Sequence, residues 1–245
     1  MIQKVLVAFF ILLLAAFVAV FLSLNFLVKK AVNTVGTQIM KVDVRLAASN
    51  ISPLSGSGSI LHLQISNPEV SKAPYALLFG GVQITTQRDS LFSNPVIVNE
   101  IAIRNPEINI EGTPLGNNLT KLLANLNSSA QISEAEEKNA SPSDAKKFRK
   151  VTVREILITG AKLHVHFSGT DQSLDQTLVL PDIVLHNVGS DGEGVTMTEL
   201  SRQILTPLLN SAIIEGDTVM AKQGIKQLEK QGVDQLNKVL GNFLK

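Results

Sequence analysis

The chain of 245 residues contains no cysteine and no tryptophan, and beyond ten phenylalanines its aromatic complement is a single tyrosine. Without cysteine there can be no disulfide, no thiolate zinc ligand and no thiol nucleophile. Without tryptophan, and with one tyrosine, there is no ready platform for stacking bases or sugars. Charge is sparse as well. Lys, Arg, Asp and Glu make up 18% of the chain and nearly cancel at a net +1, so the basic footprint of a nucleic-acid binder is missing. No Gly-x-Ser-x-Gly elbow and no phosphate loop ending in Lys-Ser or Lys-Thr occurs, and Gly189, Gly192 and Gly194 fall in the wrong order for a dinucleotide fingerprint. The paired carboxylates Glu136 and Glu137 lie in a polar stretch that offers no pocket. These absences predict a protein that is not an enzyme and needs no cofactor. His164 and His166 stand two apart, a spacing some zinc sites use, with His62, His186, Asp171 or Asp175 as a third ligand. Two polar residues on a solvated strand face account for the pair more simply, and no metal site is expected.

What the chain does have is one long apolar run. Residues 5–28 read VLVAFFILLLAAFVAVFLSLNFLV, with Ser23 and Asn25 as the polar exceptions. At about 1.5 Å per helical residue this run exceeds the roughly 30 Å of bilayer hydrocarbon. It is also longer than the apolar core of a cleavable signal peptide, although Ala15, Ala16 and Ala19 supply small residues. Residues 1–30 are therefore expected to form a retained transmembrane anchor. Lys4 on one side and Lys29 with Lys30 on the other do not orient it by charge.

After a connector over 31–41, read as short helix or irregular, the pattern changes to period two. VDVRLAAS and SILHLQIS alternate, and VQITTQ is rich in β-branched residues, as expected of strands with one buried face. The most informative feature is a repeat: VNEIAIRNPEINI at 98–110 against VREILITGAKLHV at 153–165. Val98, Ile101, Ile103, Ile108 and Ile110 align with Val153, Ile156, Ile158, Leu163 and Val165, and Glu100 aligns with Glu155. A partial third copy, LQISNPEV at 63–70, shares Asn-Pro-Glu with 105–107. In both full copies the apolar residues change parity midway. A regular strand cannot do this without turning its side chains to the other face, so Asn105-Pro106 and Gly160 are expected to absorb one residue as a bulge or bend.

Between the copies, NNLTKLLANLN at 117–127 predicts a short helix, and the polar, charged stretch over 128–150 predicts a flexible insertion. The repetitive β-domain is thus expected over 31–195. Helical periodicity returns over 196–245, with Thr196 or Thr198 as cap, a kink or stop at Pro207, and a second amphipathic helix carrying Ile225, Leu228, Leu236, Val239, Leu240 and Phe243 on one stripe. That stripe would pack on the sheet, or meet a membrane surface or partner protein.

The order of these segments resembles the AsmA-like proteins of bacterial envelopes over nearly the whole chain. The resemblance is carried by the apolar helix, ISNPEV (65–70), VQITTQRDSLFSNPVIVNEIAIRNPEINIEG (82–112), LGNNLTKLLANL (115–126), REILITGAKLHVHF (154–167) and LVLPDIVLHNVG (178–189). It implies a mainly β fold with α: an N-terminal transmembrane helix in the bacterial inner membrane, an elongated, curved, gutter-like antiparallel sheet in the periplasm, and C-terminal amphipathic helices. It implies a role in envelope maintenance, with phospholipid handled on an apolar groove and envelope proteins as partners through the C-terminal helix. The candidate groove residues are Ile101, Ile103, Ile108, Ile110, Ile156, Ile158, Leu163 and Val165, which would serve equally as an ordinary core. Eight or nine strands about 4.8 Å apart would extend roughly 40 Å. The sequence also resembles the late-embryogenesis-abundant, water-stress type of β-sandwich, which would make it a membrane-tethered structural or interaction module with a filled core and no lipid.

Overall fold

The computed structural model describes residues 2–69, 71–113, 116–139, 149–167 and 174–243; of 2–8, 13–22, 113, 167, 174–175 and 223–243 it describes the backbone alone. The fold is mainly β with α. Helix α1 (Ile2–Met40) leads into strands β1 (Val44–Ser52), β2 (Ser57–Ile65), β3 (Leu77–Thr86), β4 (Val96–Arg104), β5 (Glu107–Thr113) and β6 (Gly116–Asn117). Helix α2 (Asn118–Asn139) follows, then β7 (Val151–Thr159), β8 (Lys162–Phe167), β9 (Leu174–Val179), β10 (Ile183–Val188) and helix α3 (Met197–Phe243).

All ten strands join one sheet. Its registers reduce it to six long strands, because β4 runs into β5, β7 into β8, and β9 into β10 with the same register against their neighbours on both sides of each junction. Six strands about 4.8 Å apart make a sheet roughly 25 Å wide, narrower than eight or nine separate strands would give.

The expected purely antiparallel sheet is corrected to a mixed one. β4 pairs with β7, and β5 with β8, in parallel. The physical reason lies in the repeat. Val98, Glu100, Ile101 and Ile103 are the register partners of Val153, Glu155, Ile156 and Ile158, and Ile108 and Ile110 are the partners of Leu163 and Val165. Two copies of one pattern side by side match apolar to apolar at every step only if they run in the same direction. The crossover that a parallel pair requires is supplied by α2.

The parity change is a property of the whole sheet rather than a bulge in one strand. Continuing the registers by one residue lines up His62, Gly80, Asn105, Gly160 and Pro181 across it. Three of these have left-handed backbones: His62 at φ 51°, Asn105 at 48° and Gly160 at 65°. Asn, His and Gly are the residues that reach this region at least cost. On each side of this crease the strands stay paired, but the faces exchange, so that Ile103 and Ile108, or Ile158 and Leu163, are both interior. A shorter second line runs through Asn99, Arg154 and Asn187, the last at φ 56°. The identical spacing of apolar residues in the two copies follows, since both strands must exchange faces at the same two levels.

One face of the sheet is covered by α2 and the first half of α3, whose Leu119, Leu122, Leu126, Leu208, Leu209 and Ala212 are fully buried against it. Two local expectations change here. The segment 128–139 is helix, not a loose insertion, since its Ala, Glu and Lys favour helix and Ala130 is buried; residues 140–148 lie outside the described ones. The C-terminal region is one helix that runs through Pro207, because Leu208 and Leu209 just beyond it are fully buried and hold it to the sheet. Its predicted cap is made by Thr196, whose hydroxyl accepts from the Glu199 N–H at 3.2 Å. The stripe from Ile225 to Phe243 lies outside the described side chains.

The connector over 31–41 is likewise helical to Met40, so the apolar run and the sheet are joined by a single helix. Side chains 5–8 and 13–22 of that run lie outside the described ones; among the described residues no helix is long and apolar enough to cross a membrane.

Candidate functional site

The eight candidate groove residues are brought together, and all are interior. Ile108, Ile110, Ile156, Ile158, Leu163 and Val165 have no exposed surface, and Ile101 and Ile103 retain 6% and 4%. Between groove and core, the two readings left open by the sequence, this arrangement is a filled core. Burying each such side chain contributes about 1.5–3 kcal/mol, so together they form a major part of what holds the sheet to its helices.

An apolar opening exists elsewhere. A cavity of about 250 Å³ lies where the end of α1 meets β1, β2 and the start of α3, lined by Val35, Ile39, Val44, Leu63, Met197 and Leu205 among others. It falls below the roughly 300–1,000 Å³ usual for small-molecule pockets.

The second cluster is polar. Asn67, from the partial third copy, and Asn118, from the NNL segment, meet at 2.6 Å, and the Asn118 amide also donates to the Asn109 carbonyl at 2.8 Å. The Asn118 side-chain oxygen accepts from the Glu111 N–H at 2.9 Å. Asn109 shares a 3.2 Å hydrogen bond with His166 and donates to the Tyr75 carbonyl at 3.1 Å. Glu111 in turn accepts the Ala73 and Lys72 N–H groups at 2.6 and 3.1 Å. These bonds fasten the 66–76 loop to β5 and the start of α2, where Asn117 and Thr120 cap each other reciprocally at 2.9 and 3.1 Å. Polar side chains here are committed to one another and to backbone, and together they form a structural clip. The two Asn-Pro copies have parted company: Asn67 ties a loop, whereas Asn105 turns the crease.

His164 bonds Thr177 at 3.0 Å. Among the described residues no three His, Asp or Glu side chains gather closely enough to hold a metal ion.

Two titratable groups in the clip are shifted. Burial first, then the 2.6 Å hydrogen bond to Glu107, pushes the Tyr75 hydroxyl up to about 12. Burial acts to raise the Glu111 carboxyl, but hydrogen bonds from Ser71, Ala73 and Lys72 outweigh it and hold the group below its ordinary value. A depressed carboxyl stabilises the fold above its unfolded pKa, and that contribution disappears as pH falls through the folded value. Acidifying from neutrality to below the ordinary value of 4.5 is therefore expected to loosen the 66–76 loop. Amide exchange of Lys72 and Ala73 as a function of pH reads this. The Glu111→Gln variant should lose that part of the pH dependence, and an unchanged profile in the variant would refute the assignment.

No family model and no curated protein matches the chain.

A third arrangement was not anticipated. Among the described residues β1 is an edge strand, paired only with β2. Its outward backbone is met by one stripe of α1. The Thr37 hydroxyl accepts the Val44 N–H at 3.0 Å, the Asn33 side-chain oxygen accepts the Leu46 N–H at 2.8 Å, and that of Asn25 accepts the Ile51 N–H at 3.0 Å. Lys29 donates to the Ala47 carbonyl at 3.0 Å, and Ser49 to the Asn25 carbonyl at 3.1 Å. Residues 25, 29, 33 and 37 are four apart and share one helical face. That spacing, with an amide inside an apolar run, was the available signal. Gly36 lets the helix approach, since a Cβ there would stand 2.8 Å from a Val44 methyl.

Proposed function

We propose that this chain is a single-pass membrane protein of the bacterial cell envelope, with a non-enzymatic β-module held in the periplasm on a rigid extension of its own anchor. The observation that carries this reading is the α1 stripe. One helix contains the apolar run over 5–28 and, through Asn25, Asn33 and Thr37, substitutes for the missing neighbour of the edge strand. A helix fastened in this way sets the body at a fixed position relative to whatever holds residues 5–28. The filled core favours a structural or interaction module over a lipid carrier, and the resemblance to AsmA-like proteins supplies the envelope setting. Phospholipid handling would have to use a surface other than the eight interior residues.

The test is alkaline extraction of membranes from cells expressing the full chain, followed by protease treatment of spheroplasts. The protein should stay with the membrane through the alkaline wash, and its body should be cleaved by external protease. Release by the wash would sink the anchor; retention with a protected body would sink the periplasmic placement.

A further inference from the structure

The hydrogen bonds between α1 and β1 fix which end of the sheet faces the anchor. Moving towards the N-terminus along the helix, Thr37, Asn33 and Asn25 meet Val44, Leu46 and Ile51 in turn. The helix and the strand are therefore antiparallel, and the apolar run leaves the body past the end of β1. From residue 25 back to residue 5 the helix rises about 30 Å, the thickness of a bilayer's hydrocarbon. Leu54 follows Ile51 by three residues, at most about 10 Å further on, or about seven helical residues. This end of the sheet is thus level with the outer part of the apolar run.

What the body presents there is unusual for turns, which ordinarily carry polar residues. Leu54, in the turn between β1 and β2, is 69% exposed, and Phe92, in the loop between β3 and β4, is 97% exposed. The two turns are fastened together: Thr86 donates to the Gly56 carbonyl at 2.7 Å, and Arg88 to the Leu54 carbonyl at 3.4 Å. Arg149 reaches the same loop, donating to the Leu91 carbonyl at 2.7 Å. Neither arginine pairs with a carboxylate among the described residues, while Lys150 nearby is occupied by Glu137 and Glu193. Asp89 is the acidic exception in the loop.

We infer that this end of the sheet rests on the bilayer, with Phe92 and Leu54 immersed at the headgroup–acyl boundary and the guanidinium groups of Arg88 and Arg149 at the level of the phosphates. The occupant of the patch is phospholipid of the membrane that holds residues 5–28, and the inference rests on the proposed anchor. Apolar side chains flanked by arginine are the chemistry by which peripheral elements enter that boundary.

The absence of tryptophan provides the test. The full-length Phe92→Trp variant, reconstituted into phosphatidylcholine–phosphatidylglycerol vesicles, carries a single reporter at a position where side-chain size cannot disturb the core. Ile214→Trp, 64% exposed on α3 and two residues from the Gly216 that adjoins Ile110 beyond the crease, is the distant control. With phosphatidylcholine brominated on its acyl chains, Phe92→Trp emission should shift to the blue and fall roughly twofold, as expected for a side chain about 5–10 Å into the boundary, while the control is unchanged. Leu54→Trp should behave as Phe92→Trp does. Flotation after an alkaline wash, run on the same samples, separates the two claims. Protein that floats but whose Phe92→Trp emission is unquenched overturns the docked end and leaves the anchor intact. A blue shift without quenching would mean that protein covers the patch, and likewise overturns it. Protein that fails to float removes both readings.

Discussion

The Ile158→Asp variant is expected not to fold. Ile158 has no exposed surface and lies between Ile103 of β4 and Ile183 of β10 in the sheet. A carboxylate there would stand among the aliphatic side chains of the hydrophobic core. Burying it costs on the order of 5 kcal/mol or more, whether it stays charged or binds a proton, and that is comparable with the whole stability of a domain. The Ile158→Val variant removes one methylene at the same place and should lose only about 0.5–1.5 kcal/mol. Urea denaturation followed by circular dichroism distinguishes the two. The result bears directly on function. On an open groove, aspartate at this position would be tolerated and would only weaken lipid binding. A cooperatively folded Ile158→Asp protein of near-normal stability would therefore restore the groove and dismiss the filled core.

Removing two acceptors from α1, in the Asn33→Leu and Thr37→Val double variant, is expected to have the second largest effect. The Leu46 and Val44 N–H groups point away from β2 and end on these side chains, and both residues are buried. An orphaned buried donor costs about 1–3 kcal/mol, so the pair should lose roughly 2–6 kcal/mol. Opposing this, leucine is a better helix former than asparagine by only a few tenths of a kcal/mol, which is too little to change the sign. The exposed edge should then recruit another strand, since an uncovered edge is a template for pairing. Amide exchange at Leu46 and Val44 should accelerate, and the protein should self-associate in detergent. Asn33→Asp keeps an acceptor and should behave much more like the parent. Unchanged exchange in the double variant would show that the stripe does not protect the edge, and the proposed rigid link between the apolar run and the body would fall with it.

Much of this protein could be read locally. The apolar run over 5–28, the alternation of the strands, the change of parity at Asn105 and Gly160, and the helix beginning at 117–118 all follow from residue type and spacing, because side-chain direction in a strand or helix is set by the residue's own backbone. The positions aligned between the copies are register partners in the sheet, Ile101 with Ile156 and Ile110 with Val165, which the alignment alone does not say. What spacing cannot carry is the direction in which two strands lie, or what covers a face. Only the tertiary structure set the copies parallel, lined up their breaks from His62 to Pro181 as one crease, and closed α2 and α3 over the eight aliphatic residues. The two local errors have the same origin. Residues 128–139 read as loose because their surface is polar, and Pro207 reads as a kink or a stop because proline removes a helical hydrogen bond; the structure excludes the stop. Burial of Ala130 in one case, and of Leu208 and Leu209 in the other, decides for helix through contacts made with residues far away in the chain. The α1 stripe is the clearest example. Asn25, Asn33 and Thr37 are ordinary polar residues until the unpaired edge of β1 is laid beside them, and an unsatisfied N–H of that strand then makes their spacing count.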